Sequence, residues 1–416
     1  MGRASLSALI AIGMVLLAGP PQPGWTSDAS EPPWGKLSQV DGDVDYYGKF
    51  ANSLPVNSNF FPIGVWFESV VDSLSASNKD LGVNIYVVVT ANSNLSIIKD
   101  GGMFAILQQS EFAGNEPAVA NSSVVGWELH DEIDMQVGIA EAEVRLQTIR
   151  TGLPEDGRLR YNNYGKGVMF WLSEDDAARL VNRYQDIVSA DTYWFTDPYI
   201  AGASEGGQLL NNGRPLTESQ TRRAANYGYT IDRLRRLDGM DATRRPIWAF
   251  IEVGWPFSEG PGKGGRAIEP AEMNAAVWHS IIAGARGIVY FNHSFGGPYP
   301  SQHVLRDRNY AEIRAAVRET NARITQLASV LNTPFVLDYV KCDAGIRSMA
   351  KYYDNRYYVF SGNMDNETRE ATFTVAGAVN GVAKVIGEGR SIQIVEGSFT
   401  DKFEDGNAIH IYQINP

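Results

Sequence analysis

The chain has 416 residues, 44% of them hydrophobic and 20% charged, a composition that belongs to a folded globular protein and excludes a disordered one. Its formal net charge of -12 argues against nucleic acid or an anionic membrane as a partner, because binding phosphate requires clustered Lys and Arg. The single cysteine, Cys342, excludes an internal disulfide and any cysteine-based metal site.

The chain opens with Met1-Gly2-Arg3, a positive start, followed by a nearly uncharged apolar run over 6–18 that Gly19-Pro20-Pro21 breaks. This is the layout of a secretory signal peptide, and the run is too short to span a bilayer comfortably. We expect a signal peptide over 1–27, a linker over 28–55, export to the periplasm or the extracellular space, and no stable membrane insertion. No feature specifies an oligomeric state. An exported chain without disulfides depends on a large core, and this length supplies one.

From about residue 60 the sequence alternates short apolar runs with amphipathic stretches. The runs cover 60–67, 83–90, 103–109, 124–132, 159–163, 187–195, 246–254 and 287–293. Ser173 followed by Glu174-Asp175-Asp176 predicts a capped helix start with acidic side chains in its first turn, and 270–285 and 309–331 read as further helices. Eight strands alternating with helices predict parallel βαβ units closed into a (β/α)8 barrel over 56–334. After that the period changes. Stretches 356–360, 371–375, 391–395 and 408–412 alternate, and Asp354-Asn355 and Asp405-Gly406-Asn407 look like hairpin turns. We therefore expect a small antiparallel β-sandwich over 335–416.

Two of the runs end on a glutamate, Val124-Val125-Gly126-Trp127-Glu128-Leu129-His130-Asp131-Glu132 and Pro246-Ile247-Trp248-Ala249-Phe250-Ile251-Glu252. A carboxylate at the end of a buried strand is costly unless it is paired, hydrogen-bonded or open to a cleft. In a barrel the active site lies at the C-terminal ends of the strands, and these two glutamates fall there on strands four and seven. Strand alternation puts Gly126, Glu128, His130 and Glu132 on one face, and Trp248, Phe250 and Glu252 on another.

On these residues the chain resembles the clan of retaining glycoside hydrolases built on (β/α)8 barrels. The resemblance covers roughly 60–416 and includes the accessory sandwich. It implies that Glu132 is the acid/base at the end of strand four and Glu252 the nucleophile at the end of strand seven. A double displacement on a carbohydrate substrate follows, with no cofactor and no metal. Many members carry Asn before the acid/base, whereas Asp131 precedes Glu132 here. That extra charge would raise the pKa of Glu132, which suits an acid catalyst. Tyr193 is expected to hydrogen-bond Glu252. Asp131, Asn163, Asn292 and His293 are candidate ligands for sugar hydroxyls. Trp66 and Trp255, with Trp127 and Trp194, are candidate stacking platforms. Two other readings stand beside this one: a carbohydrate-binding barrel without catalysis, and a metal-dependent hydrolase, which five histidines and the lack of His-x-His near the first strand disfavour.

Overall fold

The computed structural model describes residues 31–416 except 73–76, 113, 115–119, 259–264 and 378–379, so the expected signal peptide lies outside the described residues. Eight parallel strands form the barrel: β1 (Ile63–Trp66), β2 (Ile85–Val89), β3 (Phe104–Gln108), β4 (Val124–Asp131), β5 (Leu159–Tyr164), β6 (Ile187–Ala190), β7 (Trp248–Glu252) and β8 (Gly287–Phe291). They pair in the order β6-β5-β4-β3-β2-β1-β8-β7. A parallel bridge between Val188 and Ile247, where the Val188 N–H donates to the Pro246 carbonyl at 3.3 Å, joins β6 to β7 and closes the ring.

Most of the strands are apolar on both faces because each face is covered, as buried parallel strands require, whereas β4 and β5 turn polar toward their C-terminal ends. Inward residues Trp66, Ile85, Val87, Ile106, Val125, Leu159, Tyr161, Ile187, Trp248, Phe250 and Val289 fill the barrel. The alternate residues, Ile63, Val65, Ala249 and Ile251 among them, pack against the surrounding helices. One of those helices carries the cap read from the sequence, and a second opens on a proline. Ser173 accepts from the Asp176 N–H at 3.2 Å at the start of Glu174–Arg183, and Pro270 opens Pro270–Ile282 at the position where its missing N–H costs nothing.

The described part of the stretch expected to be a linker packs against the barrel over 46–54. Tyr46 and Tyr47, in a 3-10 turn over Tyr46–Lys49, and Leu54 are buried and join the barrel-filling cluster. The Trp248 indole N–H donates to the Tyr47 hydroxyl at 3.1 Å, so aromatic side chains of the N-terminal segment pack onto the barrel filling. The physical reason is composition: large apolar side chains gain more by burial there than a solvated linker would.

Beyond the helix Ala311–Leu331 the chain forms the antiparallel β-sandwich. Its strands are β9 (Phe335–Leu337), β10 (Val340–Cys342), β11 (Ile346–Tyr353), β12 (Arg356–Asn363), β13 (Arg369–Val375), β14 (Asn380–Val385), β15 (Arg390–Val395), β16 (Ser398–Phe403) and β17 (Ile409–Ile414). Asp354 and Asn355 both have φ near +50°, which is the geometry of the two-residue turn joining β11 to β12. The sandwich has its own core around Tyr357, Phe373, Phe399 and Tyr412. A tenth strand comes from the other end of the chain: Lys36–Ser38 pairs antiparallel with β9. Trp34 adds two bonds to the same place, its N–H donating to the Tyr357 hydroxyl at 2.7 Å and its carbonyl accepting from that hydroxyl at 2.9 Å.

Candidate active site at the barrel mouth

The C-terminal ends of β4, β5 and β6 bring together Asp131, Glu132, Asp134, Asn163, Lys166, Asp191 and Tyr193. Their placement begins with an irregularity. Glu128 pairs with Tyr161 but Asp131 pairs with Asn163, so β4 holds one residue more than β5 over that interval. Such a bulge breaks the two-residue alternation. The expectation that Glu128, His130 and Glu132 share a face is therefore corrected, because Asp131 and not His130 is in phase with Glu128. The His130 ring instead bonds the Asp131 carbonyl at 2.8 Å.

Glu132 reaches the mouth by another route. It adopts the left-handed conformation, φ 50° and ψ 37°, at the start of the short helix Ile133–Gln136. For a side-chain-bearing residue this costs about 1–2 kcal/mol, and such strain clusters at functional positions. Its N–H donates to the Asn163 carbonyl at 3.1 Å, which fixes the strained turn to the end of β5. Gly165 makes room for the carboxyl: a Cβ there would lie 3.1 Å from Glu132 Oε1 and 2.2 Å from Met135 Sδ. Asp134 organises the next segment. Its carboxylate accepts from the Gly165 N–H at 3.0 Å and the Val168 N–H at 2.6 Å, just where a one-turn π-helix, Gly167–Trp171, departs from β5.

The electrostatics of the group are dominated by acids. The charge of Asp191, followed by burial, raises the pKa of Glu132 from 4.5 to about 9. Burial, then the charge of Glu132, raises Asp131 to about 7. Burial, then the charge of Asp131, raises Asp191 to about 7. Lys166 is the counter-charge. Burial would lower its pKa, but Asp197, Asp191, Glu205 and Glu132 outweigh burial and keep it raised and charged. Its ammonium pairs with Asp197 at 3.1 Å and Glu205 at 3.4 Å. The group can therefore hold a proton on Glu132 at neutral pH and offer it to a basic oxygen. Among the described residues, no set of three His, Cys, Asp or Glu side chains is arranged to hold a metal ion.

Glu252 sits at the end of β7 in a separate setting. It is fully buried, and Oε1 accepts from the Tyr227 hydroxyl at 2.5 Å, the Phe195 N–H at 3.3 Å and the Thr196 hydroxyl at 3.4 Å. Burial raises its pKa, and the Tyr227 bond opposes that rise most. The donor expected from Tyr193 thus comes from Tyr227, on the helix Ala225–Asp238. Tyr193 turns to Asp191 instead, and its ring packs edge-on against Phe250, Phe257 and Phe291 at 6.2, 5.6 and 5.3 Å.

The other sequence-derived candidates divide by whether their polar atoms are engaged. The Asn163 amide donates to Asp131 at 3.0 Å and accepts from Ser189 at 2.6 Å, and the residue is buried. Asn292 is likewise buried, donating to Glu68 and accepting from the Leu305 N–H at 2.7 Å. His293 is buried among Phe67, Phe291 and Phe295. Trp66, Trp127 and Trp194 are core residues, a reading their size favours whenever a cleft is not at hand. Trp255 is half-buried and lies against Gly296 and Gly297.

Sequence reasoning missed Asp191, Lys166 and Tyr227. Asp191 follows the last residue of β6, but in the sequence it lies inside the run 187–195 and not at its end. Tyr227 carried none, since only the folded helix brings it to Glu252.

The fold is that of a closed (β/α)8 barrel followed by an antiparallel β-sandwich. In sequence, no protein-family model and no curated protein matches the chain. In structure it is similar to solved proteins of this architecture. One described as "Glycoside hydrolase" has a TM-score of 0.53 at 13% identity, covering 92% of this chain and 97% of that one. An α-amylase from Geobacillus thermoleovorans has a TM-score of 0.52 at 10% identity over 86% and 99%. A putative α-galactosidase/melibiase from Bacteroides fragilis has 0.51 at 10% over 86% and 79%.

Proposed function

We propose that the protein is a glycoside hydrolase that cleaves an O-glycosidic bond of an oligo- or polysaccharide with retention, Glu132 acting as acid/base and Glu252 as nucleophile. The observation that carries this reading is the carboxyl of Glu132, set at the barrel mouth in a strained turn with its proton held into the neutral range. Glu132 donates that proton to the leaving oxygen while Glu252 attacks the anomeric carbon. Glu132 then takes a proton from the water that releases the sugar. The three donors on Glu252 orient its carboxylate and favour its charged form against burial. Asp191 is not the second catalytic carboxylate in this scheme. It is in hydrogen-bond contact with Glu132, closer than the about 5 Å that a retaining pair needs to flank a sugar bond.

The complete burial of Glu252 favours a second reading, a barrel that binds carbohydrate without turning it over. One experiment separates the two. The purified full chain is screened against an oligo- and polysaccharide panel, with product configuration read by proton NMR, beside Glu132→Gln and Glu252→Gln. Loss of turnover by about 10²–10⁴-fold in both variants, with retained configuration, supports the enzyme. Binding without turnover in the unsubstituted protein, unchanged in both variants, supports the second reading. Export rests on the N-terminal pattern, and sequencing the N-terminus of protein recovered outside the cytoplasm tests it.

A further inference from the structure

Glu132 and Asp191 arrive at one point from two strands by a shared device. The Glu132 N–H donates to the carbonyl of Asn163 and the Asp191 N–H to the carbonyl of Tyr164, at 3.1 and 3.0 Å, so adjacent carbonyls at the end of β5 fix the two backbones. Their carboxyls are in hydrogen-bond contact, and Asp191 is 3% exposed. Two carboxylates that close, largely shielded from water, strongly disfavour double ionisation, so the resting pair holds a single proton between them. We propose that Asp191 is a positioning residue which, through this shared proton, keeps Glu132 an acid before the bond breaks and makes it a base afterwards.

The groups facing the pair decide where the proton lies. From the β4 side come Asp131 and Asp134, and from the β5 side Lys166. Beyond β6 stand Tyr193, whose hydroxyl bonds Asp191, and Asp197, which with Glu205 holds Lys166. Lys166 and the Tyr193 hydroxyl both favour a charged Asp191, leaving the proton on Glu132. When Glu132 gives that proton to the leaving oxygen, two carboxylates are left in contact. Their repulsion is relieved when Glu132 removes a proton from the incoming water, which restores the starting state with nothing gained or lost.

This proposal rests on the acid/base reading of Glu132, and its test needs no substrate. The full chain carrying [δ-13C]Glu and [γ-13C]Asp is titrated by NMR, with Glu132→Gln and Asp191→Asn assigning the two resonances. The expected result is a coupled titration in which both resonances move over the same pH interval. In Asp191→Asn, Glu132 should titrate lower by about one pH unit or more. Independent single-site curves in the unsubstituted protein, or a Glu132 curve unmoved by Asp191→Asn, would overturn the proposal. If Asp191→Asn does not fold, the unsubstituted titration decides alone, assigned with Asp191→Ser. Once a substrate is found, Asp191→Asn should lower kcat and shift the basic limb of the pH profile down by the same interval with little change in KM. A coupled titration in a protein whose Glu132→Gln variant keeps full turnover leaves the proton pair standing and removes the acid/base reading instead.

Discussion

Replacing Glu132 by Gln should stabilise the protein at alkaline pH while impairing it as an enzyme. The folded-state pKa of Glu132, about 9, lies above the ordinary 4.5. Stability from this group is therefore fully present below about pH 4.5 and is lost as pH rises toward 9. One pKa unit corresponds to about 1.4 kcal/mol, so an isolated group would lose about 5 kcal/mol by pH 8. Asp131 and Asp191 share the titration, and part of the charge is relieved by solvent, so about 2–4 kcal/mol is expected of Glu132 itself. Gln carries no charge and its amide can donate to Asp191, so the variant escapes this loss. With an unfolding entropy of about 2.1 cal/mol/K per residue, each kcal/mol is worth about 1 °C in a chain this long. Urea unfolding and thermal scans of both proteins at pH 5 and pH 8 measure the effect. Glu132→Gln should match the parent within about 1 kcal/mol at pH 5 and gain about 2–4 kcal/mol, or about 2–4 °C, at pH 8. An equal difference at both pH values, or a variant weaker at pH 8, would refute the electrostatic reasoning.

Three further outcomes follow from neighbouring contacts. Lys166→Met leaves the fully buried Asp197 without its cation. It should cost about 3–5 kcal/mol near neutral pH by urea unfolding, and a loss below about 1 kcal/mol would show that the buried carboxylate finds another partner. Tyr227→Phe removes the main donor to Glu252. A bond to a charged group is worth about 1.5–3 kcal/mol, so the acidic limb of the activity profile should move up by about 1–2 pH units. Gly165→Ala places a methyl 2.2 Å from Met135 Sδ and against Glu132. It should lose about 1–3 kcal/mol of stability and most of the turnover, and unchanged values of both would show that the neighbours give way.

The barrel was legible because its strands are buried on both sides, which turns most of them into largely apolar runs. The turn at Asp354-Asn355 was legible because both residues tolerate a positive φ. What escaped has physical causes. A single extra residue in β4 exchanges the faces of everything after it, and no composition signal marks the slip between Glu128 and Asp131. The first described segment passed for a linker because Pro, Gly and Ser dominate 19–36, whereas Tyr46 and Tyr47 reveal their burial only in the fold. Within the site, Glu132 was legible from its position at the end of a run, whereas Asp191 was not, because apolar residues continue past it to Phe195 and hide the end of β6 at Ala190. The contact of Tyr227 with Glu252 joins a helix to a strand, and only packing creates it.

The strand Lys36–Ser38 gives the sandwich an obligation to residues on the far side of the barrel in sequence. The sheet takes its edge from residues made before the barrel and the rest from residues made after it, so in topology the barrel is an insertion within the sandwich. A ribosome releases the later strands only after the whole barrel has been made, and until then the early strand waits without β9 and Trp34 without the Tyr357 hydroxyl it bonds. A fragment beginning at 335 would carry an open edge, and adding a peptide spanning 32–40 should seal it.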